Sequence, residues 1–209
     1  MTVTPNGGSA EAATFVEEKP VGTFNYTWTV TSSTPNGAAT IDAVVADKAG
    51  NVTNAIAKHF NINKNQITGQ VELQAYVGAS RDVTFVATGG TTKTWTLTLA
   101  FSGGVASYTL TDVPAGTTNL SAKTAWTLRK KLAASLDGDG QATVNFTGGN
   151  KLLGGDINGS NSINVLDYSI LKTHWFTSNP VADITGDGVV NSTDYTIMKA
   201  NWFKVGDPE

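Results

Sequence analysis

The chain has 209 residues, a formal net charge of −3, 40% hydrophobic and 15% charged residues, and no cysteine. With no basic run and no apolar stretch of about 18 residues, the composition argues against nucleic-acid binding and against a membrane-spanning helix. The absence of thiols excludes disulfide bracing, thiolate zinc sites and cysteine nucleophiles, while alternating Thr-rich stretches with Gly turns predict β-sheet domains. Residues 1–65 carry four strand-like runs, ATFVEE, GTFNYTWTVTS, AATIDAVVAD and VTNAIAKHFNI. Four is few for a sandwich of about seven strands, so this segment is expected to be an incomplete domain. Met1 runs straight into Thr-Val-Thr-Pro with no leader-like stretch, as in a piece cut from a longer protein. The polar stretch Asn63-Lys64-Asn65-Gln66 is the expected boundary with the next domain.

From residue 66 to residue 152 the texture changes. Seven short alternating runs follow one another: ITGQVELQAYV, DVTFVATG, KTWTLTLAF, VASYTL, TTNLSAKTAW, RKKLAASL and QATVNF. That number, with Gly-rich turns between, predicts a β-sandwich. Asp137-Gly138-Asp139-Gly140 reads as a hairpin turn, because the twelfth residue counted from Asp137 is Gly148, which has no carboxylate to close a metal loop. The stretch VASYTLTDVPAGTTNL (105–120) resembles carboxypeptidase-regulatory-like or CnaB-like β-sandwiches, which carry a strand, such a turn and a second strand. ATIDAVVADKAGNVTNA (39–55), with Asp47-Lys48-Ala49-Gly50-Asn51 at its turn, resembles the closing hairpin of bacterial Ig-like repeats. Both resemblances imply spacer or adhesion modules on secreted proteins.

The strongest internal signal is a duplication near the C-terminus. GDINGSNSINVLDYSILKTHWF (155–176) and ADITGDGVVNSTDYTIMKANWF (182–203) share ten identities at an offset of 183 − 156 = 27 residues. Polar residues fall at loop positions 1, 3, 5, 9 and 12: Asp156, Asn158, Ser160, Asn164 and Asp167 in the first repeat, and Asp183, Thr185, Asp187, Asn191 and Asp194 in the second. Calcium takes six to eight oxygen ligands, and such a loop supplies them from alternate side chains, the backbone carbonyl at position 7 (Ser162, Val189) and a closing carboxylate at position 12. Position 6 needs a sharp turn; Gly188 supplies it in the second loop and Asn161, which tolerates the left-handed region, in the first. Ile163 and Val190, at position 8, are expected to pack against each other. Two calcium ions are therefore expected. Loop two should bind more tightly, with three carboxylates and a Gly turn against two carboxylates and Asn.

Each loop closes with Asp and leads into a helix without being preceded by one; Ser178-Asn179-Pro180 stops the first helix before the second loop. This loop-helix duplication, over residues 154–205, resembles the type I dockerin family. The resemblance implies a module that folds with calcium and binds a cohesin domain, often joining polysaccharide-degrading enzymes to scaffolds. It also implies a partner face at Ser192-Thr193, at loop positions 10 and 11, with Lys199 further along the helix. The equivalent Val165-Leu166 is apolar and is expected to pack on the chain's own sandwich, and Leu152 and Leu153 in the short junction are expected to pack between the sandwich and the module.

The whole reads as mainly β with a small α-helical C-terminal module: an Ig-like domain (1–65), a β-sandwich (66–152) and a dockerin-like calcium module (153–205). Catalysis is not expected. His59 and His174 lie far apart, and outside the loops the acids are scattered, with no Glu between Glu72 and Glu209 to pair across a cleft. The expected role is calcium-dependent docking by a monomeric segment of an extracellular or cell-surface bacterial protein. Two alternatives stand beside it: a stalk whose module caps its own sandwich, and a carbohydrate-binding module using Trp28, Trp95 or Trp126. Alternation around Trp95 and Trp126 favours core packing for those rings.

Overall fold

A computed structural model describes residues 1–18, 24–31, 34–46, 49–54 and 58–209. They fall into two compact units, Met1–Lys64 and Asn65–Glu209. Among its described residues the first unit holds eight short strands: β1 (Thr2–Thr4), β2 (Glu11–Ala12), β3 (Thr14–Glu18), β4 (Phe24–Thr27), β5 (Gly37–Asp42), β6 (Val44–Ala46), β7 (Val52–Asn54) and β8 (Lys58–Ile62). They form a four-stranded sheet, β2-β1-β5-β8, and two hairpins, β3-β4 and β6-β7. The four expected runs are thus subdivided, and β1 and β2 are additional, because Thr2–Thr4 pairs antiparallel with Thr40–Asp42. Val3, Ala39 and Ile62 are its buried apolar residues among those described, while Phe15, Val16, Phe24 and Tyr26 are exposed. Asp47 and Lys48, in the expected Ig-like turn, lie outside the described residues.

In the second unit all seven expected runs form strands: β9 (Gln66–Glu72), β10 (Ser80–Thr88), β11 (Lys93–Ala100), β12 (Val105–Thr111), β13 (Asn119–Lys123), β14 (Lys130–Ala133) and β15 (Gln141–Thr143). They make two sheets, β11-β10-β13-β14 and β12-β9-β15. Period-two alternation turns Val83, Phe85 and Ala87 of β10 toward Ala106, Tyr108 and Leu110 of β12, closing one core around Phe85, Tyr108 and Phe146. The Asp137–Gly140 turn forms, with Asp137 accepting from the backbone N–H groups of Asp139 (3.0 Å) and Gln141 (2.8 Å). It does not make a hairpin, however. The chain crosses to the opposite sheet, and β15 pairs parallel with β9.

That crossing depends on Gly69. Tyr108 donates its hydroxyl to the Val144 carbonyl at 2.6 Å, and a Cβ on Gly69 would overlap that same carbonyl oxygen. Gly69→Ala is expected to destabilise the second unit by about 3 kcal/mol through backbone displacement. A urea midpoint unchanged from the parent would contradict this packing.

Beyond the sandwich, helices α1 (Val165–Thr173) and α2 (Ser192–Ala200) follow the two loops. Each begins with the same device. Asn164 or Asn191 caps the helix, and Asp167 or Asp194 at the third helical position reaches back to the cap N–H. A second core forms from Ile157, Ile163, Leu171, Ala182, Ile184, Val190, Ile197 and Met198, joined by Leu128 from the sandwich. The junction leucines divide between the two cores: Leu152 is fully buried in the first, and Leu153 packs against the second.

Candidate metal loops and docking surface

The two repeats close on one another with near two-fold symmetry. Ile163 N–H donates to Lys204 O and Val190 N–H to Thr177 O, while Phe203 N–H donates to Ile163 O and Phe176 N–H to Val190 O, all between 2.8 and 3.0 Å. Residues 27 apart therefore make the same bonds. Phe176 and Phe203 both turn with φ near +60°, and the position-6 residues Asn161 (+64°) and Gly188 (+95°) also have positive φ. The left-handed turn foreseen at Asn161 is present.

Inside each loop, oxygens converge. In loop one Ser160 Oγ lies 3.5 Å from Asp156 Oδ1 and 3.2 Å from the Ser162 carbonyl, and fully buried Asp167 accepts from the N–H groups of Asn158 and Asn164. In loop two Thr185 Oγ1 lies 3.2 Å from Asp183 Oδ1 and 3.0 Å from Asp194 Oδ1. Asp194 also accepts from the N–H groups of Thr185 and Asn191 at 2.9 Å each. Asp187 and Val189 stand at the exposed rim, where Asp187 Oδ1 accepts from Val189 N–H at 2.9 Å. Asn164 and Asn191 act as helix N-caps, accepting from Leu166 and Thr193 N–H. Among the described residues no three carboxylate, imidazole or thiol groups cluster as a metal site. The loops instead gather carboxylate, hydroxyl and carbonyl oxygens, a donor set that fits a hard divalent cation such as calcium.

The sandwich grips the outer edges of both loops. Tyr76 packs where a Cβ on Gly186 would stand, and Val77 N–H donates to Thr185 O at 2.8 Å. Arg81 donates to the Asp183 carbonyl at 3.1 Å and lies over the Trp126 ring at 3.6 Å. Burial lowers the Arg81 pKa from its ordinary value, offset in part by Tyr76, Asp183 and Asp194. Asn201 bridges Gln74 (2.6 Å) and Gly154 O (2.8 Å). Arg129 N–H donates to Asn161 Oδ1 of loop one, and the C-terminal tail adds a strap through Lys131 N–H on Asp207 Oδ2, both at 2.7 Å.

These contacts relocate several expected residues. Trp126 is not in a strand; it sits in the turn after β13, packs against the module's core and donates to Val181 O. Trp95 and Trp28 donate to Thr111 O and to Glu11. All three indole N–H groups are thus bonded within the chain, and all three rings are half-buried. Tyr76, Arg81, Lys123, Trp126 and Leu128 carry the junction, and no local pattern in the sequence marks them for it.

Val165 and Leu166 require the largest correction. They are 61% exposed each and do not pack on the sandwich. The sandwich meets the loop edges, which leaves the helix starts free, and Ser192, Thr193 and Lys199 are exposed as well. Lys199 shares a groove of about 530 Å³ with Val165, Tyr168, Tyr195 and Trp202. Ser192 lies on the same stripe of α2, about 10 Å away at 1.5 Å per residue. Tyr168 and Tyr195 meet across the helix pair as tilted rings with centroids 5.6 Å apart and floor this surface.

Two solved structures share the fold. Both are crystal structures of type II cohesin–X-dockerin complexes from Acetivibrio cellulolyticus, one an N-terminal and the other a C-terminal interface mutant. Each is 20% identical to this chain, covering 68% of it and 97% of the solved chain, with TM-scores of 0.52 and 0.51. No curated protein matches the chain. The family comparison agrees with the duplicated loops: residues 154–202 match the model of the dockerin type I domain.

Proposed function

We propose that this chain is a non-catalytic docking segment of an extracellular or cell-surface bacterial protein, whose dockerin holds two calcium ions and binds a cohesin-type domain. The observation that carries the reading is the division of labour across the module. The sandwich seals the loop edges, while both helix starts, Val165-Leu166 and Ser192-Thr193, stay exposed on the other side. A dockerin serving only to cap its own sandwich has no use for that exposed surface.

In loop one the residues that would hold an ion are Asp156, Asn158, Ser160, the Ser162 carbonyl and Asp167. In loop two they are Asp183, Thr185, Asp187, the Val189 carbonyl and Asp194. Asn164 and Asn191 fix the helix starts beside them. Bound calcium supplies positive charge that relieves repulsion between buried carboxylates; the chain's own residues orient the loops and present the helices. The resemblance of the duplicated loops to type I dockerins extends the proposal to assemblies that degrade polysaccharides.

Binding to immobilised type I and type II cohesins tests the reading directly. Capture by at least one class in calcium, lost in EGTA and regained on adding calcium back, is expected. Failure with both classes in calcium, by a chain that still melts as a folded unit, would favour the stalk instead.

A further inference from the structure

The repeat symmetry supplies an internal control, because residues 27 apart should have matching surroundings. At position 1 they do not. Asp156 of loop one is fully buried, and its Oδ2 receives Lys123 Nζ at 2.6 Å together with Asn161 N–H at 2.9 Å. The same ammonium donates to Gly159 O at 3.1 Å. Lys123 ends strand β13 of the sandwich and is itself only 15% exposed in its side chain. In loop two the equivalent Asp183 receives only backbone N–H groups and the Thr185 hydroxyl: Gly188 at 2.9 Å on Oδ2, Gly186 at 2.7 Å and Thr185 at 3.2 Å on Oδ1. Arg81 reaches the Asp183 backbone carbonyl, not its carboxylate. Among the described residues no ion pair involves a loop-two carboxylate.

The two oxygens of Asp156 are therefore distinguished. Oδ2 faces outward to Lys123, and Oδ1 faces the loop interior with Ser160 Oγ and the Ser162 carbonyl. Lys123 sits behind the ligand set and leaves the interior open. Loop one carries two carboxylates and loop two carries three, so Lys123 halves the negative charge of the loop that already has less.

We propose that Lys123 is a resident counter-cation for loop one, resting on the calcium reading above. It holds Asp156 in ligating geometry when no metal is bound, and it weakens calcium there by like-charge repulsion. A buried carboxylate without a partner is strongly destabilising, which is why the brace matters most in the metal-free chain. Loop two has no such brace and relies on the metal. The device makes the sandwich a positioning element for one site only, and sets the order in which the loops fill: two before one.

The experiment compares the full chain with Lys123→Met and Lys123→Arg by calcium calorimetry and by thermal melting with and without EGTA. Lys123→Met is expected to melt about 5–10 °C lower than the parent in EGTA. In saturating calcium the gap should close. The weaker of the two calcium sites should tighten by roughly tenfold, because the repelling charge is gone, and Lys123→Arg should restore parent behaviour. Two ions bound with the weaker site unchanged or weakened in Lys123→Met would overturn the proposal alone. Equal loss of stability with and without calcium would also overturn it, since Lys123 would then serve only the sandwich. A parent chain that takes up no calcium at either loop would sink the calcium reading and this proposal together.

Discussion

Val165→Asp combined with Leu166→Asp is expected to weaken cohesin capture by about a hundredfold or more, roughly 2.7 kcal/mol, while the melting temperature stays close to the parent's. Both side chains are 61% exposed, so charging them removes no packing within the chain. Val165 lines the groove floored by Tyr168, Tyr195 and Trp202, with Leu166 next to it in the chain, and a few side chains, aromatic ones above all, carry most of an interface's energy, so a charge placed beside those rings strikes the anchors. Ser192→Asp with Thr193→Asp is the matched pair on the other repeat. If only the first pair abolishes capture, the apolar face is the docking face. If only the second does, the hydroxyl face is. Loss from neither would remove the helix starts from the interface. A large drop in melting temperature for the first pair would show that these residues are buried in solution after all.

Asp194→Ala is expected to unfold the second repeat, costing roughly 3 kcal/mol. The fully buried carboxylate accepts from Thr185 N–H, Thr185 Oγ1 and Asn191 N–H, and closes the capping box of α2. Removing it strands buried donors and deletes a ligand of the proposed ion. Asp187→Asn provides the contrast. Asp187 is exposed at the rim, and asparagine keeps an acceptor for Val189 N–H. That variant should retain its helical signal and lose calcium affinity in loop two by about tenfold or more, because ligand charge tunes the site. Circular dichroism beside calorimetry separates the two effects. If Asp194→Ala keeps full helicity in EGTA, the carboxylate is not the structural hub that its bonds imply.

Much of this was readable before any coordinate. The seven runs between Ile67 and Phe146 each became a strand, because alternation of apolar and polar side chains fixes which face turns inward wherever one face is buried. The 27-residue duplication located both loops and both helices, and the left-handed turn at Asn161 followed from its match to Gly188. Local rules sufficed there: spacing, capping and turn chemistry act within about twelve residues of chain. The turn at Asp137–Gly140 was legible too, but its hairpin was not. Whether a strand returns beside its predecessor or crosses to the other sheet depends on the space that Gly69 leaves for Val144, far away along the chain.

The module's orientation was decided at still longer range. Arg81 and Asp183 are 102 positions apart, Val77 and Thr185 pair by backbone alone, and Lys123 meets Asp156 across 33 residues. Nothing in the neighbourhood of Arg81, Lys123 or Trp126 distinguishes a strand-end cation or a turn indole from a solvated one. Val165 and Leu166 show the converse: an apolar pair at a helix start suggests burial, yet exposure is settled by which surface the sandwich happens to cover. It covers the loop edges, where Tyr76 can fit against Gly186 and Gln74 can meet Asn201. Local pattern therefore dictates the elements and the ligand-bearing loops, and only the packing of one core against the other selects which side of the module is left to meet a partner.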